Sequence, residues 1–275
     1  MTRKWFGRAD VASLLAVPVG AVCVLAGQWL QGGDASALVH GAAALIVFGG
    51  SFGAVLVSHS PGQTFRALQC ALETFRRERR ELPALGARMT ALAMRAHRRG
   101  VQALEHELAE ESDPFLRSGL SLVIDGASGH ELGRVLSVER HGADAEDDAC
   151  ARVWESAAGY APTLGILGAV LGLIQVLQHL RSPEALGAGI ATAFVSTVYG
   201  VASANLLFLP LAGRVRERGA ACARQRELVA EGLLAISDGA SPRLVADRIR
   251  PLAPGTPPVE EIAARLHAAV PARLA

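Results

Sequence analysis

The sequence predicts an all-α polytopic membrane protein: four transmembrane helices, with a helical cytoplasmic domain formed by the loop between the second and third spans and by the C-terminal segment. Three observations predict it. Hydrophobic residues make up 51% of the 275, and mean hydropathy is positive. These residues are gathered into a few long runs, whereas a soluble core would alternate them with polar ones. No Asp, Glu, Lys or Arg interrupts the long runs.

A helix crosses the hydrocarbon core with about 20 mostly apolar residues. Residues 11–30, 38–58, 160–180 and 187–211 qualify. The basic start MTRKWFGR before the first run resembles the opening of a signal peptide. A second run follows after a short turn with Gly32, Gly33 and Asp34, so the two runs read as a helical hairpin instead. The expected organisation is a first hairpin (1–58), a cytoplasmic helical domain (59–159), a second hairpin (160–211) and cytoplasmic C-terminal helices with a tail (212–275).

Orientation follows from basic residues near the span ends. Arg3, Lys4 and Arg8 precede the first span, and Arg66, Arg76, Arg77, Arg79 and Arg80 follow the second. Arg152 precedes the third, and Arg214, Arg216 and Arg218 follow the fourth. The two short turns carry only Asp34, and Arg181 with Glu184. Both termini and the long loop are therefore expected on the cytoplasmic side, with Trp5 and Trp29 at the two interfaces of the first span.

Between the second and third spans, much of the loop has helical periodicity. Pro83 and Gly100 punctuate it, and the stripe Leu116, Leu120, Val123, Ile124 ends at Asp125-Gly126. After the fourth span, residues 220–237 read as a separate amphipathic helix. The tail begins with a short helix, turns Pro-rich at PLAPGTPP, and is expected to be loose at its end.

Lipid supplies no hydrophobic drive between helices, so small residues at helical spacing serve close backbone approach. The third span has Gly165, Gly168, Ala169 and Gly172 on one face. The fourth has Ala193, Thr197, Gly200 and Ala204, and the second has Gly49, Gly50, Gly53 and Ala54. Spans two, three and four are thus built to pack. The fourth, AFVSTVYGVASANLLFLPLAG, also carries Ser196, Thr197, Ser203 and Asn205, which an anchor does not need. A hydroxyl in a membrane helix ordinarily bonds back to its own carbonyls; Thr197 departs from that pattern by sharing the small-residue face. Ser203 and Asn205 are expected to tie neighbouring helices together. Ion pathways ordinarily carry an ionisable group at depth, and this chain has none there. Either it transports nothing, or another chain supplies the charge.

Other classes are excluded on composition and motif. A net charge of +1 offers no broad nucleic-acid surface. No phosphate-binding GxxxxGK[ST], HExxH or Ser/His/Asp arrangement occurs, so neither an enzyme, a cofactor nor a metal site is expected. Cys23, Cys70, Cys150 and Cys222 are far apart and have no metal spacing. The cluster Asp144, Glu146, Asp147, Asp148 reads as the solvated face of a helix.

The motifs GGSFGAVLVSHSP, RRGVQALE, DPFLRSGLSLVIDG and AAGYAPTLGILGAVLGLIQVL, with the fourth-span stretch, resemble the motility protein A family over nearly the whole chain and in the family's order. The resemblance implies a stator subunit of the bacterial flagellar motor in the inner membrane. It implies a ring of A subunits, a pentamer, around two copies of a B subunit whose single span carries an essential Asp. It also implies a cytoplasmic loop that pushes on rotor switch protein G. Carried over residue by residue, the coupling prolines are Pro162 and Pro210, and Thr197, with Ser196 beside it, faces the partner's Asp. Sodium-driven members carry a Thr where Ala169 stands, and the missing hydroxyl favours protons. Glu105 matches the acidic rotor contact. The basic one falls on His97, with Arg98 and Arg99 following and Arg95 nearby: either the charge has moved by a residue, or His97 serves only when protonated. Two alternatives are an energy-coupling protein of the ExbB/TolQ type, whose first span is isolated, and a non-conducting membrane scaffold.

Overall fold

A computed structural model describes residues 19–20, 22–23, 25–30, 32, 38–76, 81–180 and 183–269. Every described element is helical. Three helices are long and apolar enough to cross a membrane: Gly41–Ser58, Gly129–Gln178 and Leu186–Ser237. Of the expected first span, the described residues between 19 and 30 are helical, whereas 11–18, Trp5 and the first turn's Asp34 lie outside the described residues.

The chain divides into two compact units. The first comprises Met1–Glu78 and Asp147–Arg218, the second Arg79–Glu146 and Gly219–Ala275. In the first, α1 (Gly41–Ser58) starts three residues later than hydropathy predicts, because His40 caps it: its Nδ1 accepts the Ala43 N–H. α1 continues through a π turn at Leu45–Gly49. After Ser60, α2 (Pro61–Arg76) buries Ala67, Cys70 and Ala71 against Cys150, Ala151 and Val153. Polar contacts line this seam. Ser58 Oγ meets the Tyr160 hydroxyl at 2.6 Å, and Trp154 Nε1 donates to the Ala67 carbonyl at 3.2 Å. Arg218 donates to the Cys70 carbonyl at 3.2 Å and to Glu73 at 2.5 Å.

The second unit holds α3 (Leu82–Arg99), a 3-10 turn (Val101–Leu104), α4 (Glu105–Glu110) and α5 (Pro114–Ile124). Their apolar stripes, Leu85/Met89/Leu92 and Leu116/Leu120/Val123, meet Leu132, Leu136, Leu228 and Leu233 in one core. Boundary chemistry is local. Asp113 caps α5, accepting the Phe115 and Leu116 N–H groups, with Pro114 at its first position. Gly126 closes that helix with φ 78, a conformation that favours glycine. Glu111, nearly fully buried, is held by Arg88 at 2.6 Å and accepts the Asp113 N–H at 2.6 Å.

Two expectations differ. The third span is the end of α6 (Gly129–Gln178), one helix of 50 residues that also includes the acidic cluster. There Asp144 pairs with Arg226 at 2.7 Å, and Asp148 with Arg152 at 3.5 Å. Likewise α7 (Pro183–Ser203) passes through a π turn at Ala204–Phe208 into α8 (Leu209–Ser237), so residues 220–237 are not a separate helix. Neither Pro162 nor Pro210 ends its helix. The ring of Pro210 would press on the carbonyl four residues back; the wider π turn just before it relieves that clash. In the tail, α9 (Pro242–Ile249) is followed by α10 (Val259–Ala269), which buries Ile262; residues 270–275 lie outside the described residues.

Cys70 Sγ and Cys150 Sγ lie 2.9 Å apart, both buried. Burial pushes the Cys150 thiol up to about 12, with the hydrogen bond to Cys70 adding to the shift. At neutral pH it carries its proton, and thiolate is the nucleophile. Alkylation of the folded protein at neutral pH followed by mass spectrometry is expected to leave Cys150 unlabelled until denaturant is added.

Candidate functional site

The site is built where the apolar end of α6 meets α7. A Cβ on Gly165 would lie 2.8 Å from the Ser196 carbonyl, and one on Gly172 would lie 2.6 Å from the Gly189 carbonyl. A Cβ on Gly200 would lie 2.6 Å from the Ala161 carbonyl and 3.1 Å from Pro162 Cα. Gly168 faces the Ser196 side chain, with Ile46 of α1 on its other side. Gly165, Gly172 and Gly200 therefore mark backbone-level contact, whereas Gly168 meets side chains. On α1, Gly50 packs on the Leu164 side chain, but Gly49 meets only Leu45 of its own helix and Gly53 meets nothing within 4 Å, contrary to the expected packing stripe. Gly189 was missed, although it continues the stripe of Ala193, Thr197 and Gly200 one turn earlier.

This contact divides the polar residues of α7 between two faces. Thr192, Ser196 and Ser203 are buried, and Ser196 is 0% exposed. Thr197 is exposed, on a stripe with Phe194, Val201 and Asn205. Ser196 and Thr197 are thus neighbours in sequence but not on one surface. Thr197 Oγ1 donates to the Ala193 carbonyl at 3.2 Å, so it too bonds back to its own helix, contrary to the expectation that it departs from that pattern; its oxygen stays free to accept. Ser196 Oγ and, on α1, Ser51 Oγ are buried without a hydrogen-bond partner. Ser203 donates to the Gly200 carbonyl at 3.2 Å and Asn205 to the Val201 carbonyl at 2.8 Å. Both bond within their own helix, contrary to the expectation that they tie helices together.

On α6, Ala169 is partly buried, one turn beyond Gly165. Thr163, not singled out from sequence, is exposed and donates to the Tyr160 carbonyl at 2.7 Å. Pro162 is partly buried against Gly200, whereas Pro210 is exposed. The geometry offers a smooth, apolar, hydroxyl-bearing wall without charge. Among the described residues no group of three or more His, Cys, Asp or Glu could hold a metal.

The candidate rotor contacts lie in the second unit. His97, Arg98 and Arg99 form the exposed last turn of α3, where cations complement the helix C-terminus. Arg95 is held by Glu107. No ion pair engages Arg98, Arg99 or Glu105 among the described residues. Glu105 opens α4 and is exposed. Arg95, Arg98 and Arg99 line a groove of about 310 Å³ with Met94 and Ala103, bounded opposite by Ala263 and Leu266.

Residues 107–228 match the model of the MotA/TolQ/ExbB proton channel family. The chain is 31% identical to Motility protein A of Bacillus subtilis (strain 168), over 87% of this chain and 89% of that protein. It is 30% identical to Chemotaxis protein PomA of Vibrio alginolyticus, over 86% and 92%. Among solved structures it is similar to a chain of C. jejuni MotAB, with a TM-score of 0.83, 26% identity, and 91% and 98% of the two chains covered.

Gly200→Ala is expected to destabilise the membrane unit by about 1–3 kcal/mol, since the atoms it meets are backbone and cannot swing away. Gly142→Ala, on α6 with nothing within 4 Å of the new Cβ, is expected to be neutral or stabilising by up to about 1 kcal/mol. Apparent melting temperatures of the detergent-purified protein separate the two.

Proposed function

Because the chain belongs to the motility protein A family, we propose that it acts as the A-type stator subunit of a bacterial flagellar motor. With a B subunit it forms an ion channel whose flux turns the rotor. The observation that carries this reading is the exposed, uncharged face of α7 with Thr197 on it. A charge at membrane depth is costly and ordinarily paired. A chain that builds a hydroxyl wall without any charge is half of a pathway, and the other half is a B subunit span with an Asp. Full-length similarity to motility protein A and PomA favours this over an ExbB/TolQ-type energy coupler. A non-conducting scaffold would have no use for the exposed hydroxyl.

The detailed arrangement follows the same reading. Four spans place both termini and the 59–159 domain in the cytoplasm, and the protein resides in the bacterial inner membrane. Five copies ring the B subunit. Thr197 faces the partner's Asp, while Ser196 lies behind it and supports the contact with Gly168. Pro162 and Pro210 couple the membrane helices to the cytoplasmic domain, and Ala169, lacking a hydroxyl, selects protons over sodium. Arg98, Arg99 and Glu105, with His97 and Arg95 beside them, touch rotor switch protein G.

Coexpression with the cognate B subunit in cells lacking their own A subunit tests the reading. Swimming is expected to be restored and to persist when sodium is removed; arrest without sodium overturns proton selectivity, and no restoration overturns the stator role. Glu105→Lys is expected to reduce torque, measured on tethered cells, with the amount of membrane-assembled complex unchanged. Unimpaired torque would remove Glu105 from the rotor interface.

A further inference from the structure

His40, Thr192 and Tyr199 join the head of α1 to the buried face of α7 through hydrogen bonds that the ion path does not use. The Tyr199 hydroxyl donates to the Leu38 carbonyl at 2.5 Å and accepts the His40 backbone N–H at 3.2 Å. Its ring leans on Phe48, with centroids 5.9 Å apart. Thr192 Oγ1 lies 3.3 Å from His40 Nε2 and donates to the Ala188 carbonyl at 2.9 Å. His40 Nδ1 faces the Ala43 N–H at 3.4 Å.

These partners assign the imidazole proton. The Ala43 N–H can only donate, so Nδ1 must present its lone pair. The single Thr192 hydrogen goes to Ala188, so Oγ1 accepts and Nε2 donates. Every polar group of this set is therefore paired.

The same residues face away from Thr197. At 3.6 residues per turn, Tyr199 points about 200° round the helix from Thr197, and Thr192 about 140°. The glycine contacts bring α6 and α7 close but are smooth and resist rotation poorly, whereas hydrogen bonds are directional. We propose that His40, Thr192 and Tyr199 are positioning residues that set the rotation of α7 and so hold Thr197 on its open face. Neither α1, residues 186–203 of α7, nor residues 19–30 carry a charged side chain. The charged residues of the two short turns are Asp34, Arg181 and Glu184. His179, near the second turn, bonds to the Gln175 carbonyl at 3.0 Å.

The inference rests on the stator reading and is tested in the same coexpression system. Thr192→Val keeps shape and removes the hydroxyl; Thr192→Ser keeps the hydroxyl. Thr192→Val is expected to swim about fivefold slower, the factor that an ordinary hydrogen bond gives an equilibrium. Immunoblots should show normal complex levels, and Thr192→Ser should restore speed. Tyr199→Phe should reproduce the slowing. Wild-type speed in Thr192→Val or Tyr199→Phe overturns the positioning role, as does slowing that tracks loss of complex. Failure of the wild-type chain itself to restore swimming is failure of the stator reading, and the inference falls with it.

Discussion

Within the membrane unit, everything depends on how closely the backbones of α6 and α7 approach. Apolar side chains gain nothing from leaving lipid for one another, so contact there must come from dispersion and from hydrogen bonds that side chains would obstruct. Gly165, Gly168 and Gly172 on one helix, and Gly189 and Gly200 on the other, remove the obstruction. Pro162, which deprives α6 of one backbone hydrogen bond, stands against Gly200, where α7 has no side chain. The weakened turn is thus also a tightly packed one, and the helix runs through it unbroken.

That approach sorts the polar groups. Thr192, Ser196 and Ser203 are drawn inward, where two of them bond to helix carbonyls, while Thr197 and Asn205 remain outside. A hydroxyl already donating to its own helix is nearly invisible to lipid, yet it keeps an acceptor for a proton donor that comes close. In the stator reading, this lets a charge-free chain line a pathway at little cost until a partner's carboxylic acid arrives. The absence of ionisable groups, which taken alone argues against transport, then becomes a requirement: a second fixed charge would hold the ion rather than pass it on.

Hydropathy and the spacing of small residues made much of this legible. The second, third and fourth apolar runs, the packing face of α6 and the end of α5 at Asp125-Gly126 all rest on local chemistry that a sequence displays. Continuity across residues 129–178 and 183–237 was not legible. Composition changes there from lipid-like to amphipathic, and prolines sit near both changes. A change of solvent is not a change of backbone, however, and ACARVWES and RVRERGAACARQREL are good helix formers on their own. The tail helix α10 did carry a signal: VEEIAARL has acidic residues in its first turn and Ile262 and Leu266 four apart. The partner of Tyr199 was beyond reach, since Leu38 and His40 lie some 160 positions away in the chain.

The exposed charges of the second unit follow a different logic from the buried contacts of the first. Arg95 is already neutralised by Glu107, which leaves Arg98, Arg99 and Glu105 as the free charges of that region. Exposed ion pairs are worth about 0–1 kcal/mol each and are screened by salt. For a static interface that would be poor design. For a surface that must engage a moving rotor, release it and engage the next position, contacts much stronger than thermal energy would act as brakes. Several weak charges on one exposed turn can share the load while each is made and broken quickly. On the rotor reading proposed above, whether the basic charge stands at His97 or at Arg98 and Arg99 matters little, since charge density on the turn, rather than one fixed pair, is what a moving partner reads.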